Sequence, residues 1–134
     1  MLITSRVVKG LAALLIFLGF ANIAQSQTAK TNTAWPKQAI RIVVTFTPGG
    51  APDILARVLA ESWQQSLGVP ILVENRPGYG GNIGADLVAK SDPDGYTLLI
   101  GTVGIHAING ALYDKMPFHP INDFTPISFL ASTP

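Results

Sequence analysis

The chain has 134 residues and contains no cysteine. Disulfide bridges and thiolate metal sites are therefore excluded, whereas the compartment stays open, because many exported proteins also lack cysteine. Charge is sparse and balanced, with nine Lys and Arg residues against eight Asp and Glu residues and a formal net charge of +1. Because no basic cluster or stripe occurs, the sequence argues against nucleic acid as a partner.

Motifs typical of enzymes and nucleotide-binding proteins are also missing. The glycines between positions 78 and 84 do not fit the G-x-G-x-x-G spacing, and neither a P-loop lysine nor a G-x-S-x-G turn occurs. His106 and His119 belong to no H-E-x-x-H pattern, so the sequence supports no metal site. We expect no cofactor and no metal.

The N-terminus carries a targeting pattern. Two basic residues precede an apolar stretch, Gly10 to Ala21, and small residues then occupy the two positions that a signal peptidase reads. We predict a signal peptide over residues 1–26, cleaved after Ser26 or, alternatively, after Ala24. The rival interpretation is an uncleaved anchor, but the apolar core is short for a membrane span.

The rest of the chain alternates between strand and helix patterns, after a predicted flexible leader at 27–34. A helix ending at Gly68 and turns rich in glycine and proline separate the elements. The patterns predict strands at 40–46, 69–74, 96–100 and 127–131, and helices at 52–67, 83–90 and 106–113. This order predicts an α/β fold with a parallel sheet built from βαβ units.

Apolar spacing predicts which helix faces are buried. In the first helix an apolar stripe recurs at three- and four-residue spacing and consists of Ile54, Leu55, Val58, Leu59, Trp63 and Leu67. In the second helix we expect Asn82 to be the N-cap and Ile83, Leu87 and Val88 to be buried.

The first strand feeds the first helix through a Pro48-Gly49-Gly50 turn. Such a turn directs free backbone N–H groups at the space over the carboxyl end of the strand, which predicts a site for an anion such as a carboxylate. Asp53 lies in the first helical turn, where it either stabilises the helix dipole or orients the glycine turn or a polar group of a ligand. Both roles stay open from the sequence.

Thr102 and His106 lie just past the third strand, at the edge of the sheet where ligands of parallel α/β folds bind. Capping by Thr102 and simple packing of His106 are the alternatives. Together with the glycine turn, this loop predicts a wall of N–H and hydroxyl donors.

Several stretches together resemble one family, the Bug family of periplasmic solute-binding receptors, which serve tripartite tricarboxylate transporters. The resemblance runs from Trp35 to the end of the chain. The residues that carry it are Trp35-Pro36, Phe46 with Pro48-Gly49-Gly50, Asp53, Ala56-Arg57, Val73 to Gly78, Gly80 to Ala85, Asp94 to Leu98, and His106 to Asn109.

The resemblance implies one lobe of a type II periplasmic-binding-protein fold. Residues 35–134 correspond to the N-terminal lobe, truncated at a hinge strand predicted at 127–131, and the second lobe is missing. The implied protein is a periplasmic receptor and not an enzyme, capturing a small di- or tricarboxylate, or a related organic acid, for the membrane subunits of its transporter.

The resemblance also implies which loops contact the ligand. They run from Phe46 to Asp53, from Pro77 to Gly84 and from Thr102 to His106, and Tyr79 stands where the family has a small residue and narrows or caps the cleft. The implied ligand-binding residues are Phe46, Thr47, Gly49, Gly50, Asp53, Gly81, Asn82, Thr102 and His106. The alternatives are a truncated fragment without autonomous binding and a small α/β enzyme that uses His106 and Asp53.

Overall fold

The computed structural model describes residues 35–132, which form a parallel sheet with helices on both faces. The elements are β1 (Ile40–Val44), α1 (Ala51–Leu67), β2 (Ile71–Asn75), α2 (Asn82–Ala89), β3 (Thr97–Ile100) and α3 (Asn109–Leu112). A 3₁₀ turn, Tyr79–Gly81, precedes α2, and a π turn, Gly104–Ile108, runs directly into α3. All pairings are parallel and the strand order is β2-β1-β3, which confirms the predicted α/β class.

The central strand owes its position to an unbroken apolar sequence. Ile42, Val43 and Val44 are all at most 1% exposed, as expected for a strand covered on both faces. One face of the sheet packs against α1 through Ala56 and Ala60. The opposite face packs a second cluster, which contains Ala85, Ile105 and Phe118 together with Leu99 of β3.

The predicted buried face of α1 is partly wrong. Ile54 and Val58 are 55% and 62% exposed, whereas Asp53, Ala56 and Ala60 are buried. The small alanine side chains allow the helix to lie close to the sheet, and helical geometry then turns the larger neighbours outward. The outer part of the predicted stripe therefore faces away from the sheet.

The prediction for α2 also needs correction. The helix begins at Asn82, and its N-cap is Gly81 with φ of 90°, so Asn82 is not the cap. Ile83 is 54% exposed, while Gly84 and Ala85 are buried. A side chain at Gly84 would lie 2.8 Å from the carbonyl oxygen of Arg76, so glycine is what lets the helix approach the preceding loop.

The predicted fourth strand, 127–131, does not form within the described residues. Ile127 and Phe129 are 74% and 81% exposed. A strand needs a neighbour to satisfy its backbone hydrogen bonds, and no described strand pairs with this segment. The hinge strand expected from the resemblance is thus absent from this part of the fold.

The predicted signal peptide at 1–26 and leader at 27–34 lie outside the described residues. Among residues 35–132, no helix combines the length and the apolar character needed to cross a bilayer.

Candidate functional site

The candidate site lies at the carboxyl edge of the sheet. The strands are parallel, so the loops that follow β1, β2 and β3 emerge at the same edge. All nine residues predicted to bind a ligand belong to these three loops or to the first turns of the helices that follow.

The loop between β1 and α1 presents a free backbone donor. Gly49 has φ of +86°, a conformation that favours glycine, and its N–H donates to Oδ2 of Asp53 over 2.8 Å. The first helical hydrogen bond runs from Ile54 N to Gly50 O. Among the described residues the N–H of Gly50 has no acceptor, as expected for a residue preceding the first helical turn. This N–H is available to an anion.

Asp53 is the most heavily hydrogen-bonded carboxylate of the site. It is 3% exposed and accepts from Gly49 N, from Arg57 Nε over 3.0 Å and from Asn75 Nδ2 over 2.9 Å. The hydrogen bond from Arg57, followed by those from Gly49 and Asn75, lowers the pKa of Asp53 to about 2. Both carboxylate oxygens are occupied, so the side chain orients the glycine turn and is ionised at neutral pH.

Asn75 is a site residue that sequence reasoning missed. Its Nδ2 donates to Asp53 Oδ1 and, over 3.1 Å, to the carbonyl oxygen of Phe46, so it joins the first loop to the end of β2. The β1–β2 register places Asn75 beside Val44, the last residue of β1. A polar residue ending a strand next to the central strand was the available signal.

The two remaining residues of the first loop are accessible. Phe46 is 43% exposed and Thr47 is also exposed. The Thr47 hydroxyl forms no hydrogen bond within the described part of the chain, and the backbone carbonyl of Phe46 accepts from Asn75. Both are placed where a ligand over the edge of the sheet would meet them.

The second loop has an unusual backbone. Gly78, Tyr79, Gly80 and Gly81 all have positive φ, with values of 118°, 52°, 63° and 90°. A Cβ on Gly81 would lie 3.1 Å from the Cβ of Thr45, so this loop packs over the end of β1. The first and second loops are therefore in contact.

A buried polar cluster lies beneath this contact. Asn82 is 1% exposed, and its Oδ1 accepts from Asn109 Nδ2 over 2.7 Å. Within residues 35–132 neither Asn82 Nδ2 nor the Thr45 hydroxyl has a hydrogen-bond partner. Because the Asn82 side chain faces inward, a ligand at the surface would meet the backbone of Asn82 at the start of α2 and not its side chain.

The third loop is tied to the segment that follows α3. The Nδ1 atom of His106 lies 2.6 Å from the carbonyl oxygen of Pro120, which can only accept, so Nδ1 carries the proton. The ring also packs edge-on against Phe124. Thr102 is half-buried, and its carbonyl oxygen accepts from His106 N over 3.2 Å. These contacts agree with the packing alternative for His106.

The described residues contain no group of three or more His, Cys, Asp or Glu side chains placed to hold a metal ion. The site consists of backbone amides, hydroxyls and amide side chains around one ionised carboxylate. Such an arrangement can bind and orient an anion through hydrogen bonds.

Comparison with known proteins supplies the family. The sequence profile described as tripartite tricarboxylate transporter family receptor matches residues 55–134. Protein BugT of Bordetella pertussis is 42% identical over 125 residues, which cover 92% of this chain and 37% of BugT.

Two solved structures share the fold. The periplasmic binding protein BugD is 40% identical with a TM-score of 0.65, over 69% of this chain and 31% of BugD. MatC of Rhodopseudomonas palustris, solved with bound malate, is 40% identical with a TM-score of 0.68, over 72% of this chain and 33% of MatC.

The chain spans about a third of the length of these relatives. The stretch shared with BugT covers 92% of this chain and therefore includes all three loops of the candidate site, whereas the profile match begins after the first loop. The family and its solved members are periplasmic solute-binding proteins and not enzymes, which contradicts the alternative of a small enzyme using His106 and Asp53. This chain belongs to the tripartite tricarboxylate transporter receptor family.

Proposed function

We propose that this chain provides the ligand-binding loops of an extracytoplasmic receptor that captures a small di- or tricarboxylate for a tripartite tricarboxylate transporter. The observation that carries the proposal is the N–H of Gly50, which has no acceptor in the described part of the chain, at the start of a 17-residue helix held by the bond from Gly49 to Asp53. A helix N-terminus with unpaired N–H groups attracts a carboxylate.

The electrostatics of the site support a ligand held through amides. Asp53 is ionised and lies next to the turn, so a bare carboxylate would be repelled if it had to approach the side chain directly. The charge of Asp53 is offset by Arg57, with 3.0 Å between Arg57 Nη2 and Asp53 Oδ1. The ligand therefore meets the outward face of the turn, where Gly50 presents its N–H and Phe46 and Thr47 are exposed.

A neighbour's ligand has the same chemistry. MatC was solved with malate, a dicarboxylate, and it resembles this chain over 72% of the residues. We infer that Gly81 and Asn82, at the start of α2, and Thr102 and His106, after β3, line the same edge of the site. That these four residues contribute to ligand binding stays a prediction, and the same holds for the residues of the first loop.

Calorimetry tests this function. The 134-residue chain is titrated with malate, citrate and succinate, and with dimethyl malate as a matched ligand without carboxylates. We expect saturable heat with at least one acid and none with the ester. A folded chain that binds none of the acids contradicts the proposal.

The alternative of a fragment without autonomous binding makes a different prediction for the same sample. Several large apolar side chains of the described residues are exposed, among them Val58 and Phe129. If this alternative holds, the absence of heat is accompanied by a near-UV circular dichroism spectrum without fixed tertiary signals.

The location and the transport partner belong to the same proposal. We infer that residues 1–26 direct export and are removed, so the mature protein recovered from the periplasm begins at Gln27. Mass spectrometry of that protein tests this inference, and an intact N-terminus contradicts it.

Loss of acid uptake when the gene is deleted tests delivery to the membrane subunits, and unchanged uptake contradicts it.

A further inference from the structure

The glycine loop before α2 has a backbone that its own contacts do not explain. Four consecutive residues from Gly78 to Gly81 have positive φ, and one of them, Tyr79, is not glycine. Within the loop and the helix start the backbone bonds are Gly81 N to Gly78 O, over 2.9 Å, and Asn82 N to Tyr79 O. Glycine adopts positive φ at little cost, but Tyr79 with φ of 52° is strained, so contacts from outside the loop must hold this residue in place.

One side chain outside the loop donates hydrogen bonds to two acceptors, one in the loop and one at the start of α2. Asn109 is 4% exposed, and its Nδ2 donates over 3.0 Å to the carbonyl oxygen of Gly80 and over 2.7 Å to Oδ1 of Asn82. A primary amide has two N–H groups, and both are used here. The two acceptors flank Gly81, so a single side chain fixes the loop on both sides of this residue.

A second contact, from the residue directly after α3, reinforces the first. Tyr113 follows Asn109 by one helical turn, and its ring lies 4.2 Å from the ring of Tyr79, centroid to centroid. Its hydroxyl would lie 2.7 Å from a Cβ on Gly80. The ring of Tyr113, tilted by 46° against that of Tyr79, and the amide of Asn109 therefore contact adjacent parts of the loop.

The backbone before Asn109 explains why this side chain reaches the loop. Gly104–Ile108 form a π turn, which ends with the hydrogen bond from Asn109 N to Gly104 O. A π turn contains one residue more than an α turn and so changes the direction of the side chains that follow. The π turn of the third loop thereby directs Asn109 towards the second loop.

We propose that Asn109 is a positioning residue of the ligand site, which holds Gly80, Gly81 and Asn82 in the conformation that places the start of α2 at the edge of the sheet. The role in binding rests on the proposed function above. Asn109 is buried beneath the loop and does not itself touch the ligand.

The test compares Asn109→Asp with Asn122→Asp in the full chain. The first substitution keeps the shape but replaces the NH₂ group, with its two N–H donors, by one carboxylate oxygen that faces the Gly80 carbonyl. The second makes the same change of charge at an exposed asparagine. Hydrogen exchange of the amides of Gly81 and Asn82 is the first readout, because it requires no ligand. We expect exchange at least about tenfold faster in Asn109→Asp than in Asn122→Asp, with the amides of β1 unchanged.

Affinity for the acid that the wild-type chain binds is the second readout. We expect Kd to rise about tenfold in Asn109→Asp at pH 8 and to recover partly at pH 5, relative to the wild type at each pH. Protonation of a carboxyl facing an oxygen restores one O–H donor, and a purely space-filling role would show no such recovery.

The two readouts separate this proposal from the proposed function. Unchanged exchange at Gly81 and Asn82 overturns the positioning role, and so does faster exchange with unchanged Kd in a chain that binds acid. If the wild type binds no acid, the proposed function fails, and faster exchange still supports the role of Asn109 in holding the loop.

Discussion

The backbone nitrogen of Gly49 lies 2.8 Å from Oδ2 of Asp53, so the first turn of α1 holds the loop that precedes it. The same carboxylate accepts from Asn75 at the end of β2. One ionised side chain thus links the turn after β1 to the neighbouring strand, and within residues 35–132 the N–H of Gly50 has no acceptor.

The first prediction concerns pH. The pKa of Asp53 is lowered from 3.8 to about 2 in the folded chain, first by the hydrogen bond from Arg57. The ionised Asp53 stabilises the folded chain fully above pH 4, and this stabilisation is lost as the pH falls through 2. The reason is that Asp53 takes up a proton at a higher pH in the unfolded chain than in the folded chain. We expect wild-type Tm to exceed that of Asp53→Asn most at pH 5, and the gap to shrink towards pH 2. A gap that is constant between pH 5 and pH 2 contradicts the role of the ionised side chain.

The second prediction compares two glycines with similar φ. Gly81 and Gly49 have φ of 90° and 86°. A Cβ on Gly81 would lie 3.1 Å from Thr45 and 3.2 Å from Ile105, whereas a Cβ on Gly49 would meet none of the described residues within 4 Å. We expect Gly49→Ala to cost about 1–2 kcal/mol through backbone strain, and Gly81→Ala roughly 1–3 kcal/mol more through overpacking. Urea unfolding measures both, and equal costs would show that the loop does not pack tightly over β1.

The third prediction concerns the buried hydroxyl of Thr45. The residue is 2% exposed and its Oγ1 has no partner among the described residues. Valine has the same shape and buries no polar group, so we expect Thr45→Val to raise the free energy of unfolding by about 1 kcal/mol. The exposed control, Thr47→Val, should change it by less than about 0.5 kcal/mol. A destabilised Thr45→Val chain would mean that the hydroxyl has a partner in solution.

The fourth prediction tests one donor of the site. Gly50 has φ of −76°, which suits both alanine and proline, but only proline removes the N–H. Because a hydrogen bond to a charged group contributes about 1.5–3 kcal/mol, we expect Gly50→Pro to weaken acid binding roughly 10- to 100-fold. Gly50→Ala keeps the N–H and should bind within about twofold of the wild type. If both variants bind alike while remaining folded, the N–H of Gly50 is not a ligand contact.

The order and type of the main elements could be predicted from the sequence, because they depend on local patterns. The β-branched run at Ile42 to Val44 identified the central strand, and Gly68 with φ of 70° ends α1 as predicted. The buried helix faces could not be predicted in the same way. Packing of the small Ala56 and Ala60 against the sheet decided the face of α1, and hydrophobicity alone pointed to larger neighbours such as Ile54.

The site was predicted at the level of loops but not of side-chain contacts. The turn at Gly49 and Gly50 was visible because glycine and proline mark it. The bonds from Asn75 to Asp53 and from Asn109 to Asn82 join residues 22 and 27 positions apart, and they depend on strand register and on the π turn before α3. No local pattern encodes these long-range contacts.

Amide chemical shifts recorded during titration with a carboxylate show directly whether the loops at the edge of the sheet bind an acid. An ¹⁵N-labelled chain is titrated with malate, and with dimethyl malate as the control. We expect saturable shifts concentrated at Gly49 to Asp53 and at Gly81 and Asn82, with none for the ester. Shifts confined to the outer face of α1 around Val58, or equal shifts with the ester, would contradict it.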